Sequence, residues 1–379
     1  MALRRRVLSV GLALVGAGSL VAACAIYDSS LLLPTPGQGD GSLLDGASQD
    51  GASALDAGPD SADPCNHMLP PERPDGGDGA DDVAMTFAFN GVDVGLGVPL
   101  DLDRTCTCPG PSSCTQPSGS ASACDGTRGQ DDSFTQVFAE VGFPKASFAS
   151  SNSENMLLIV KNYNGTANDP AVTVSFVLSS GLEGIRFPDA GPKQAAHDGT
   201  DEWTVDPDTL FGGIGQTLLD TKTKCDPATC IGDKRDSNAY VRDGVLVASF
   251  DGLPSPANMD PGRLVFDLNS VVITARIVPG DGGAAALVDG GLSGRWAITP
   301  LLHNLFRLAG CVDNANYQAF HGIICKHIDV ASSPAQDNTG VACDAVSTAL
   351  GFSAVAARGG HAYRNVPEAG CAFVSDTCP

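Results

Sequence analysis

From Val83 onward the chain sets apolar residues at alternate positions in short runs bounded by turn-forming residues. Met85, Phe87 and Phe89 would share one face of an extended segment, and Asn90-Gly91 offers a tight turn into Val92 to Leu96, so a hairpin is expected there. Met156 to Tyr163 and Ala171 to Leu178 form a second pair, joined through Asn164-Gly165 by a loop longer than a two-residue turn. Tyr240-Val241 and Val245 to Phe250 flank Asp243-Gly244, while Leu264 to Leu268 and Val271 to Val278 flank Asn269-Ser270. Each pair reads as antiparallel neighbours.

Helical spacing is confined to three stretches. In the clearest, Thr299 is the expected N-cap, Pro300 the first helical residue and Gly310 the stop, with Leu301, Leu302, Leu305 and Phe306 on one face. A second runs from about Asn314 to Ile328 with Tyr317, Phe320, Ile324 and Ile328 at helical intervals. A shorter one follows Asp132, carrying Phe134, Val137, Phe138 and Val141. Many strands and few peripheral helices predict a mainly β fold, an antiparallel two-sheet sandwich or jelly roll rich in disulfides. No internal repeat or second linker interrupts Val83 to Pro379, so residues 83–379 are expected to form a single β-rich globular domain.

The remainder of the chain changes character. From Cys24 to Asp82, and most plainly from Leu33, the sequence is low in aromatics and built of Gly, Asp, Ala, Ser and Pro. Such a composition buries too little apolar surface to offset its ordering entropy, and reads as an acidic tether with a reach on the order of 35 Å. Residues 1–23 have the layout of a secretory signal: Arg4, Arg5 and Arg6, an apolar run from Val7 to Val21, then Ala22 and Ala23. The apolar run is short of the roughly 20 residues that a membrane-spanning helix needs.

Thirteen cysteines sharpen this reading. Val21-Ala22-Ala23-Cys24 resembles the lipobox of bacterial lipoproteins, in which the cysteine is acylated and becomes the first mature residue; several acyl chains give stable anchoring. Ala25, which is not an aspartate, favours the outer membrane as the address. Setting Cys24 aside leaves an even number of cysteines in an exported chain, enough for six disulfides. Local pairs are expected for Cys225 with Cys230 and Cys371 with Cys378. Zinc at Cys106, Cys108, Cys114 and Cys124 is disfavoured, because their spacing lacks paired C-x2-C knuckles.

A net charge of −22, which becomes more negative once the three leader arginines are removed, argues against nucleic-acid partners. Candidate chemistry is sparse. Asp201, Glu202 and Trp203 could offer a sugar-stacking or acid–base surface, although a half-buried strand with its acids facing water accounts for the same pattern. Asp101 and Asp103 precede the first cysteine cluster, and Asp131 and Asp132 follow it, so disulfides could gather these acids around calcium. Asp132 would alternatively cap a helix. His321 and His327 lack zinc-pair spacing, Gly212-Gly213-Ile214-Gly215 reads as a bend, and neither a nucleophile elbow nor a phosphate-binding loop occurs.

Several segments together, DLDRTCTCPGPSSC, CDGTRGQDD, NYNGTANDPAV, DGTDEWTVD, AYVRDGVLVASF, GRWAITPLL and CDAVSTALGFSAVAAR, resemble a set of uncharacterised predicted lipoproteins of the myxobacterial type. The resemblance implies the same location and a single body, and transfers no activity. The expectation is therefore a membrane-anchored, exported lipoprotein acting as a non-enzymatic surface binding or envelope module, with a glycan or an envelope protein as partner. The alternative is a calcium-assisted glycan-binding or glycan-hydrolysing protein.

Overall fold

Alternating sequences bury one face of each strand, and here eight strands turn that face toward a common interior. The computed structural model describes residues 65–76, 83–108, 110–120, 124–142, 145–149, 151–253, 267–280, 284–309, 314–364 and 376–378. All of them fall within one compact unit, Ser61–Pro379. Residues 1–64, which include the expected leader, Cys24 and most of the expected tether, and Cys371 lie outside the described residues.

The barrel strands are β1 (Val83–Val94), β3 (Asn155–Tyr163), β4 (Asp169–Ser179), β6 (Lys234–Arg242), β7 (Val245–Gly252), β8 (Asn269–Pro279), β9 (Ala285–Ala297) and β10 (Ala345–Ala362). They pair antiparallel in that order, and β10 returns to β1 with Thr86 opposite Ala357 and Val94 opposite Leu350. This closing ladder overturns the expected two-sheet sandwich or jelly roll: the fold is a closed eight-stranded antiparallel barrel. Two short strands lie outside the ring. β2 (Ala146–Ala149) pairs with Gly91 to Val94 of β1, and β5 (Glu202–Val205) runs parallel to the far end of β10.

A ring of eight strands is just wide enough for side chains to fill it. Phe87, Leu158, Val174, Ala239, Leu246, Ile273, Leu287 and Leu350, one from each strand, belong to a single buried cluster. Phe89 stacks on Phe352 with ring centroids 4.5 Å apart and meets Phe176 edge-on, which in turn meets Phe250. Burying each ring contributes about 2–3 kcal/mol. The Leu157-Leu158-Ile159-Val160 run is wholly buried because β3 is covered on both faces. Leu158 and Val160 point to the barrel cluster, while Leu157 and Ile159 pack in a second cluster with Leu182, Trp203, Val205 and Leu210.

Local turn chemistry succeeds at one hairpin and misleads at two others. Asp243 (φ 51°) and Gly244 (φ 78°) make the two-residue turn between β6 and β7. Asn90-Gly91, expected as a turn, lies within continuous β1: Phe89 pairs with Ala354 and Gly91 with Ser353, so Asn90 is extruded as a bulge. The bulge falls where β1 exchanges β3 for β2 as its neighbour. Asn269-Ser270 begins β8, where Asn269 pairs with Gly252 of β7 and Arg295 of β9, so these two residues do not make the expected turn; Leu264 lies outside the described residues.

The helices sit on this frame. α1 (Ser133–Glu140) is capped by Asp132 and buries Phe134 against Trp296, with ring centroids 5.1 Å apart. α2 is a single turn, Glu183–Arg186. α3 (Ile214–Thr221) follows the Gly212-Gly213 bend, where both residues have positive φ. α4 (Ile298–Ala309) starts directly after β9, so Thr299 stands in the first turn and not at the cap. α5 (Ala315–Ile324) is capped by Asn314 and ends four residues before the expected Ile328. Residues 65–76, read from the sequence as tether, belong to the body: Cys65 is joined to Cys106, and Arg73 lies over the Tyr240 ring while donating to the Pro170 and Asn238 carbonyls.

Candidate functional site

β1 leaves the barrel at Val94, and the chain returns only at α1. Between them, the described residues 95–108, 110–120 and 124–132 carry little regular structure, and such a segment by itself would have high entropy. Disulfides hold it: Cys65–Cys106 and Cys108–Cys124 within and across the loop, and Cys114–Cys343 to the segment before β10. All four cysteines once considered for zinc are thereby oxidised. Backbone bonds complete the frame. Met68 donates to the Arg128 carbonyl and accepts from Asp101 N, both at 2.9 Å, so the incoming segment is clamped between the two ends of the loop.

Inside this frame three carboxylates converge. Asp101, Asp103 and Asp131 each place an oxygen within 4.8 Å of the others, and the three residues are 5%, 5% and 2% exposed. Asp131 Oδ2 accepts from Leu102 N at 2.6 Å, and Asp103 Oδ1 accepts from Thr105 N at 2.9 Å. Asp101 Oδ2 contacts His67 Nδ1, whereas Asp101 Oδ1 is buried without a hydrogen-bond partner. Gly129, at φ 69°, packs on the Asp101 carboxylate so closely that a Cβ there would overlap it; the same Cβ would stand 3.0 Å from the Thr105 carbonyl oxygen.

The neighbourhood is acidic beyond these three. Burial pushes the Asp131 carboxyl well above its ordinary range, reinforced by Asp103, Asp329 and Asp125. Burial likewise raises Asp103, and it lifts Asp125 to about 7 against the hydrogen bond from Thr107. Two guanidinium groups border the frame: Arg295 is paired with Asp337 and donates to the Leu102 carbonyl at 2.8 Å, and Arg128 donates to the Asn66 and His67 carbonyls. Buried like charges of this kind require a proton or a cation to balance them.

Asp132 stands apart from the cluster. Its carboxylate accepts from Thr135 N, Thr135 Oγ1 and Ala349 N, so both oxygens serve to cap α1 and tie it to β10. The burial that accompanies this role raises it to about 7. The Asp201, Glu202 and Trp203 group does not form a binding face. Trp203 is 1% exposed inside the second core cluster. Asp201 is buried and accepts from Ala196 N and His197 N at 2.9 and 2.7 Å, and Asp206, expected to face water, is buried as well. Glu202 pairs with Lys224 at 2.6 Å. Cys225 is bonded to Cys230, and Cys378 is bonded to Cys325, which replaces the expected pairing of Cys378 with Cys371.

Sequence reasoning missed His67 and Asp329 as neighbours of the acidic cluster. His67 had been assigned to the tether, and only the nearby Cys65 could have signalled its return to the body. Asp329 is distant in sequence and carries no local signal. Searches among protein-family models, curated proteins and solved structures find no match to this chain.

Proposed function

We propose that the protein is an exported lipoprotein, anchored through acylated Cys24 to the outer membrane, whose barrel body serves as a non-enzymatic binding or scaffolding module of the cell envelope. The observation that carries this reading is the pairing of ten body cysteines into five disulfides among the described residues. Such cross-linking belongs to an oxidising compartment. The basic leader and the Val21-Ala22-Ala23-Cys24 segment supply the route and the anchor. A side-chain-filled barrel leaves recognition of a glycan or envelope protein to the outer surface and the long loop.

Mass spectrometry of protein extracted from native membranes tests the reading. The expected product begins at Cys24, carries acyl chains there and has no free thiol among the remaining cysteines. An unmodified Cys24, or a mature chain starting elsewhere, would overturn the anchored reading.

A further inference from the structure

We propose that Asp101, Asp103 and Asp131 form a calcium-binding site inside the disulfide-held loop between β1 and α1. Three acidic side chains close together would not suffice by themselves. The further observation is Asp101, one of the three converging acids, whose side chain has no exposure and whose Oδ1 is buried with no hydrogen-bond donor. A buried carboxylate oxygen without a donor is costly, and a cation removes that cost.

The identity of the cation follows from the donors. Cys65 neighbours His67 and Asp101, but its sulfur is committed to Cys106, so no thiolate is offered. The converging atoms of Asp101, Asp103 and Asp131 are carboxylate oxygens, with the Thr105 carbonyl alongside across Gly129. Oxygen ligands select a hard cation. Magnesium retains several waters in a strict octahedron, whereas calcium accepts irregular shells of carboxylates and carbonyls. A cluster 2–5% exposed has little room for a retained water shell, which favours calcium.

The charge balance agrees. Arg295 is paired with Asp337, and His67 contacts Asp101 through Oδ2, so a divalent ion would offset the negative charge of the three clustered acids. The loop is also stiffened before any ion arrives, because disulfides fix it at Cys106, Cys108, Cys114 and Cys124. Only the expected affinity range rests on the exported reading above: a dissociation constant of about 10⁻⁴ M or tighter suits calcium concentrations outside the cell.

The test uses the full chain in detergent, stripped with EDTA and dialysed. Titration with calcium chloride by isothermal calorimetry is expected to show one site per chain, and millimolar calcium is expected to raise the thermal midpoint by several degrees. Asp103→Asn and Asp131→Asn, each nearly isosteric, should weaken binding at least tenfold with an unchanged far-ultraviolet spectrum, while Glu202→Gln should bind as the parent does. Absence of heat and of any midpoint shift in the unaltered protein overturns the site without recourse to variants. An equal response to magnesium, or parental affinity in both Asp variants, overturns it as well. These readings do not depend on whether Cys24 is acylated, so failure of the anchor and failure of the site are told apart.

Discussion

Arg295 and Asp337 face each other in a two-point ion pair, Nη1 to Oδ1 at 2.7 Å and Nη2 to Oδ2 at 2.5 Å, with side chains only 1% and 10% exposed. The same guanidinium donates to the Leu102 and Ala331 carbonyls, so one side chain from β9 pins the acidic loop and the segment before β10. Removing one partner of a buried pair leaves the other uncompensated and costs about 3–5 kcal/mol. Arg295→Ala is expected to lose that much in urea unfolding. Arg295→Lys should recover only part of it, because an ammonium cannot reproduce the planar fork.

The disulfides should differ in what they contribute. Cys114–Cys343 spans 229 residues and Cys225–Cys230 only five. If constraint of the unfolded chain dominates, the first stabilises by about 5 kcal/mol and the second by about 2 kcal/mol. Paired serine substitutions at each bridge, compared by chemical denaturation, are expected to preserve that order. Equal losses would point instead to strain or packing in the folded state.

Much of the barrel was legible because its signals are local. Asp243-Gly244 has the residue types a two-residue turn demands, and the runs of β3 and β4 have the length and flanking residues of strands. Barrel closure was not legible. Alternation states which face of a strand is buried, and a sandwich and a barrel ask for the same alternation; only the β1–β10 ladder separates them, and it joins residues more than 250 positions apart. Asn90-Gly91 misled for a related reason: the residues that favour tight turns also favour bulges, and the neighbouring strands decide between the two. The grouping of Asp101, Asp103 and Asp131 was suggested by the cysteines between them. The inward clamp by Met68 and the reach of Arg295 come from distant segments, and no pattern near the acids announces either.

Asp329 gives a pH signature. Its carboxylate accepts from Ser347 N at 2.8 Å and from the Ser347 hydroxyl, yet burial outweighs these bonds and raises it to about 6. A carboxyl whose pKa is higher folded than unfolded binds more protons in the native state between these values. Its contribution to stability is therefore greatest below about pH 4 and is lost as pH rises through about 6. Unfolding free energy measured from pH 4 to 7.5 should fall more steeply in the parent than in Asp329→Asn, whose amide does not titrate. Parallel profiles would remove Asp329 as the source.

Two glycines separate backbone strain from packing at the acidic cluster. Gly129 and Gly212 both lie at positive φ, 69° and 64°, so alanine at either position pays a similar conformational cost of about 1 kcal/mol. At Gly212 a Cβ would meet nothing within 4 Å, whereas at Gly129 it would overlap the Asp101 carboxylate. Gly212→Ala is thus expected to lower stability by about 1 kcal/mol and leave calcium affinity unchanged. Gly129→Ala should lose about 2–3 kcal/mol, since overpacking adds to the strain, and should weaken calcium binding at least tenfold by displacing Asp101. Calorimetry and denaturation on the two variants read these effects separately. Unchanged calcium affinity in Gly129→Ala, with its stability lowered as expected, would show that Asp101 can move without consequence and so is not a ligand.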